Sequence, residues 1–260
     1  MTEAAGNVMK FLEPAQARSL PGLRLALSVV GGPWGDAAKR IFQFKRLPFM
    51  PVAQFPGREN TELLEWTGRR NAPIAIYNDE PPRDAWLEIL MLAERLAPAP
   101  ALLPEYSADR ALVVGIANEL CGPWGLGWCR RLMLFDGPLR GAAAAVPPAV
   151  FAQMRMVYGI SPEATAGATA RAAAILRMMA DRLRAQSRRD SPYLVGDGLT
   201  AADIYWACFS AMLSPPANDV VAMEGWVRDA YRQIGPELED ALDPCLMEHR
   251  DMVFSRHLRG

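Results

Sequence analysis

Residues 31–36 read GGPWGD, between the apolar run Leu23–Val30 and the apolar-periodic segment Ala37–Phe49. That order predicts a strand, a tight turn and the first turn of a helix. The leading N–H groups of such a helix attract an anion, whether a phosphate or a thiolate. The turn itself carries no Ser, Cys, Tyr or His. Gly35, Asp36 and Ala37 therefore bring only backbone N–H groups, and Ser28 and the Trp34 indole are the side-chain donors within reach from nearby. Asp36 suits the helix dipole, but opposes an anion if it points inward. A nucleophilic thiol of the protein's own is excluded at this turn.

A second Gly-rich turn lies in NELCGPWGLGWCRRLMLF, residues 118–135. Gly122-Pro123 interrupts the helical periodicity, because Pro removes a helix hydrogen bond and kinks the chain. Cys121, Trp124 and Trp128 bring apolar surface, and Arg130 or Arg131 brings positive charge. Two readings stay open: a pocket for an apolar molecule with an anionic group, or a packing defect filled by two tryptophans. The tetrapeptide GPWG occurs at 32–35 and again at 122–125, a coincidence in a chain with 20 Gly and 22 Pro.

Other reactive side chains form no chemical pattern. Cys121, Cys129, Cys208 and Cys245 match no zinc spacing. Cys121 and Cys129 would stand ~12 Å apart on one helix, too far for a disulfide. Buried, reduced thiols follow, and with them a cytoplasmic setting. His249 and His257 are eight residues apart and make no metal pair, so no metal is expected. The His-Arg-Asp string at 249–251 lacks the Gly-rich loop and Asp-Phe-Gly that would give it kinase meaning. LRMMADRL (176–183) reads as core packing.

The chain of 260 residues is 51% hydrophobic, enough for a sizeable core. Its 28 basic and 29 acidic residues nearly cancel, which argues against a nucleic-acid partner. No apolar run approaches the ~20 residues of a membrane span, and the start lacks the charge and apolar pattern of a secretory signal.

Strands are expected at Leu23–Val30, Phe49–Phe55 and Pro73–Tyr77, with helices at 36–46, 59–69 and 86–96. This alternation predicts a small α/β domain. Past a linker near 97–107, helical periodicity runs over 108–121, 126–135, 148–158, 162–188, 200–213, 220–234 and 244–257. In YLVGDGLTAADIYWACF (193–209), Thr200 and Asp203 are spaced as a capping box at the head of a buried helix, a structural role.

This last stretch resembles the helix-capping segment of the cytosolic glutathione transferases. The resemblance covers roughly residues 22–235. It implies an α/β thioredoxin-like domain (21–97) that binds glutathione, followed by an all-α helical domain (106–260). GPWG opens the first helix and KRLPF (45–49) closes it, at the length the family has. Pro33 and Trp34 keep the family's Pro-aromatic pair, while Gly32 and Gly35 fall where the family has its catalytic Cys or Ser. The resemblance places Trp34, Gly35 and Asp36 at the reacting sulfur. In NAPIAIY, it implies a cis bond before Pro73, with Asn71 and Ala72 beside it and the Ala72 backbone pairing with the cysteinyl part of glutathione. Eleven residues on, Asp84-Ala85 stands for an acidic-Ser pair that grips the γ-glutamyl end. Asp84 keeps the acceptor and Ala85 keeps only its N–H; an ordinary helix cap is the other reading of Asp84. Pro81-Pro82 predicts a very short fourth strand.

A free thiol has a pKa of ~8.5, so a transferase must stabilise the thiolate. The resemblance implies a glutathione-dependent enzyme acting on an apolar electrophile or thioether, aromatic or not, with Cys121, Trp124, Trp128 and Arg131 at the substrate, and a homodimer. The missing side-chain donor keeps a second expectation open: a non-catalytic binding module of the same fold.

Overall fold

The computed structural model describes residues 9–139 and 148–258. Leu23–Ser28 forms β1, a strand buried along nearly its whole length, as its continuous apolar run requires. It is the centre of a three-stranded sheet. On one side β2 (Met50–Gln54) runs parallel, with Ala26 opposite Val52. On the other β3 (Ile74–Tyr77) runs antiparallel, with Ala26 opposite Ile74. The expected fourth strand is reduced to one bridge, Ala75 to Arg83, directly after the two prolines that cannot donate to a ladder.

The helices of this half are α1 (Pro14–Arg18), α2 (Pro33–Phe44), α3 (Thr61–Thr67) and α4 (Trp86–Leu96). The five residues of α1 are too few for a periodicity to show in sequence. The adjoining Leu12 pairs with Val52 and extends the β2 edge. Ala17, Val52, Leu63, Ile74 and Ile76 close a small core on one face of the sheet.

The second half is helical: α5 (Ser107–Cys121), α6 (Leu126–Leu139), α7 (Pro148–Tyr158), α8 (Pro162–Thr165), α9 (Ala168–Ser187), α10 (Ala201–Phe209), α11 (Gly225–Arg232), α12 (Pro236–Ala241) and α13 (Pro244–His257). A 3₁₀ turn, Ser210–Met212, follows α10. The helix expected over 162–188 is broken: Gly167, at φ 79°, ends one axis and caps the next. The helix expected over 220–234 is shorter, because Val220 and Val221 turn back to bond the Ala217 carbonyl before Gly225 opens α11.

Every residue of α10 is buried, and the helix packs against α2, α5 and α13, so one large core joins the two halves. Its start is fixed by Asp203, which is fully buried. One Asp203 carboxylate oxygen accepts from the Leu194 N–H at 2.8 Å and lies 2.9 Å from His249 Nε2. The other accepts from the Thr200 N–H and hydroxyl, each at 2.8 Å. The capping box is complete, and the carboxylate also ties in the loop at Leu194 and helix α13 at His249. Gly127, near the head of α6, is a close-approach position: a Cβ there would fall 2.3 Å from the Phe209 ring and 2.9 Å from the Trp34 ring.

Candidate glutathione and substrate site

The leading end of α2 is open. Gly31 is exposed, and a Cβ on Gly32 would meet nothing within 4 Å. Gly32, the N-cap, stands at φ 149° and ψ 151°, a region that essentially only glycine occupies. The backbone thus explains why no Ser or Cys is found there. The Asp36 N–H bonds back to the Gly32 carbonyl at 2.9 Å, whereas the N–H groups of Trp34 and Gly35 meet no acceptor among the described residues. These two donors can hold an anion.

The side chains around them are committed elsewhere. The Trp34 indole N–H donates to the Cys121 carbonyl at 2.8 Å, and its ring stands edge-on to Phe209 at 4.8 Å. It joins the two halves of the molecule and is not a donor to a bound sulfur. Asp36 pairs with Lys39 at 2.7 Å and lies 3.8 Å from Arg40. It also lies beside Cys208, whose thiol is pushed well above its ordinary value, first by burial and then by this carboxylate. The Ser28 hydroxyl is buried at the end of β1 with no partner among the described residues.

The bond between Ala72 and Pro73 is cis. The Ala72 N–H and C=O make no hydrogen bond among the described residues, so an extended peptide has a backbone edge to pair with. Asp84 is exposed and ion-paired to Arg69, with Oδ2 2.6 Å from Nε. Ala85 is the exposed N-cap of α4. Asn71 is exposed beside them.

Trp34, Pro73, Asp84, Trp86, Ile89 and Tyr205 border a cavity of about 10 Å³. That is barely room for a water molecule. Trp86 fills this floor, edge-on to Tyr205 at 5.4 Å, and the Tyr205 hydroxyl donates to the Trp86 carbonyl. A ligand must therefore lie over Trp86, not beneath it. Neither residue stood out in the sequence, where Trp86 read as the first apolar residue of a helix.

Opposite the head of α2, Trp128 and Arg131 of α6 come together with Trp34. The Arg131 guanidinium carbon lies 4.4 Å from the centre of the Trp34 ring, 4.4 Å from Tyr158 and 5.5 Å from Trp128. Trp128 and Tyr158 meet edge to face at 5.6 Å. Arg131 has no hydrogen bond or ion pair among the described residues, so its donors are free for an anionic group. Tyr158, the last residue of α7, had no sequence signal because its partners lie about thirty residues away.

Cys121 and Trp124 do not join this group. The Cys121 Sγ donates to the Ala117 carbonyl at 2.9 Å, and burial pushes its thiol well above the ordinary range. Trp124 sits at φ 58° on the turn between α5 and α6, 48% exposed, with no ring contact among the described residues. Among the described residues no His, Cys, Asp or Glu cluster could hold a metal ion, and no helix is long and apolar enough to cross a membrane.

A small mixed sheet flanked by helices, followed by an all-α half docked on the head of α2, is the fold of the cytosolic glutathione transferases. No family model matches the chain, and no curated protein matches it in sequence. Solved structures match along nearly the whole length. A glutathione S-transferase from Methylobacillus flagellatus KT, with glutathione bound, has a TM-score of 0.63 at 13% identity, over 90% of this chain and 96% of its own. A glutathione S-transferase from Xanthobacter autotrophicus Py2 has a TM-score of 0.57 at 17% identity, over 92% and 96%. The beta-etherase LigF from Sphingobium sp. strain SYK-6 has a TM-score of 0.56 at 15% identity, over 88% and 99%.

Proposed function

We propose that the chain is a glutathione transferase-like enzyme that holds the glutathione thiolate with backbone N–H groups alone. Its co-substrate is an apolar, aromatic electrophile or thioether bearing an anionic group. The observation that carries this reading is the open head of α2, with the Trp34 and Gly35 N–H groups unclaimed. The Ala72 backbone edge would pair with the cysteinyl unit. Asp84 would accept from the γ-glutamyl ammonium, while Arg69 and the Ala85 N–H would meet its carboxylate. The thiol proton leaves to solvent, the sulfur forms the new bond to carbon, and the leaving group departs with its electron pair. Arg131 and the rings of Trp128 and Tyr158 would receive the anionic aromatic partner. The glutathione-bound neighbour of the same fold supports the first half of this reading.

The second reading, a binding module without turnover, draws on the absent side-chain donor and on the Trp34 indole held by Cys121. Calorimetric titration with glutathione, then a conjugation assay with an aromatic halide with and without a carboxylate, separates the two. The enzyme reading expects Asp84→Ala to weaken glutathione by about tenfold at an unchanged melting temperature, a loss of about 1.4 kcal/mol. It expects Arg131→Leu to raise KM for the carboxylated halide alone. Binding without turnover confines the enzyme reading to a specialised substrate; no binding at millimolar glutathione ends the enzyme reading and favours the module.

A further inference from the structure

A cavity of about 570 Å³ opens within the helical half, between α6, the junction of α8 with α9, and the segment joining α11 to α12. That size falls in the range of small-molecule sites, roughly 300–1,000 Å³. Its lining differs from that of the groove described above: Arg130, Met133, Pro162, Ala166, Thr169 and Ile234 are among its walls, and none of the described residues that line it is an Asp or Glu.

Arg130 is only 1% exposed. Its Nε donates to the Met212 carbonyl at 3.0 Å, and Nη2 to the Gln233 carbonyl at 3.2 Å and, more weakly, to Tyr231 at 3.5 Å. Nη1 meets only the Met133 sulfur, at 3.8 Å. Three neutral carbonyls tie down one side of the guanidinium and supply no countercharge. A buried cation without a carboxylate is an unusual and costly arrangement. Burial pulls its pKa down to about 10, which still leaves it charged at neutral pH. The head of α9 faces the same space. Its cap residue Gly167 has no side chain to bond, its first turn has no acidic residue, and the Ala168, Thr169 and Ala170 N–H groups have no acceptor among the described residues. A buried cation with no carboxylate partner among the described residues and an uncapped helix of 20 residues thus line one cavity, whose remaining walls mix the apolar Met133, Pro162, Ala166 and Ile234 with the polar Thr169 and Gln233.

We propose that this cavity is a second ligand site, which takes an organic monoacid with its carboxylate between Arg130 Nη1 and the head of α9 and its apolar body against Met133, Pro162, Ala166 and Ile234. The site is independent of the glutathione groove.

Decanoate and decanol, titrated calorimetrically into the full chain at pH 7.5, serve as charged and uncharged probes. Decanoate binds with one-to-one stoichiometry, and decanol binds at least about tenfold more weakly. Arg130→Met also frees three carbonyls and so risks the fold; Thr169→Trp fills the cavity and leaves Arg130 in place. Either folded variant loses decanoate binding by about tenfold or more, while Arg131→Leu and Asp84→Ala leave it unchanged. Equal binding of decanol, absence of decanoate binding, or full binding by Thr169→Trp overturns the proposal. Loss of binding in Arg131→Leu would place the acid in the aromatic cluster and overturn it as well.

Discussion

Gly127→Ala tests the joint between the two halves of the molecule. The added methyl would stand 2.3 Å from Phe209 Cε1, 2.7 Å from Phe209 Cδ1 and 2.9 Å from the Trp34 ring. Phe209 is fully buried, and Trp34 is held by its bond to Cys121, so neither ring yields freely. Overpacking of this kind costs about 1–3 kcal/mol. Alanine returns up to about 1 kcal/mol of helix propensity, less in the first turn of a helix, where Gly127 sits. The net is a loss of about 1–2 kcal/mol, or roughly 2–6 °C in Tm for a chain of this size. Gly115→Ala is the control. That glycine lies inside α5, exposed, with nothing within 4 Å of the added methyl, so the same substitution should stabilise by about 0.5–1 kcal/mol. Urea and thermal unfolding followed by tryptophan fluorescence measure both, and the Gly127 variant should also shift the native emission because Trp34 is displaced. Equal or higher stability for Gly127→Ala, with unchanged emission, would refute the close approach of α6 to α2 and α10.

Asp203→Ala leaves the Leu194 and Thr200 N–H groups and His249 without their buried acceptor and should cost about 3–5 kcal/mol by urea denaturation; a loss below about 1 kcal/mol contradicts the anchoring role. His257 has its pKa lowered, chiefly by burial, with Asp203 opposing and Arg256 adding to the shift. As pH falls below the ordinary histidine value, about 6.5, the unfolded chain takes up that proton first, so stability drops until the folded histidine also titrates. His257→Gln should flatten this part of a stability-against-pH curve. Thiol labelling is expected to be slow in the native state: Cys129 is pushed up to about 11 and Cys245 to about 12, both chiefly by burial, and at pH 8 Ellman's reagent should label the folded protein far more slowly than the urea-unfolded chain.

The fold was legible wherever a pattern was local. The three strands were marked by short apolar runs ended by turn residues, and the Thr200–Asp203 spacing marked the head of α10. The Ala72–Pro73 isomer was legible only through resemblance. Less could be read where partners are distant. Nothing near Trp34 in sequence points to the Cys121 carbonyl, 87 residues away, which claims its indole. Trp124 and Trp128 look equivalent in sequence, yet the left-handed conformation at 124 sends one outward, while 128 faces Tyr158. Arg130 and Arg131 are adjacent and alike, but a 100° step around the helix gives one a buried carbonyl cage and the other an aromatic one.

The backbone at Gly32 also bears on how this turn can change over evolutionary time. A Ser or Cys there would carry about 1–3 kcal/mol of local strain. One codon change therefore does not hand the protein a reactive hydroxyl or sulfhydryl; the peptide units flanking residue 32 would have to rotate as well. Descendants of this chain are more readily diversified across the aromatic wall, where side chains alone set what is admitted.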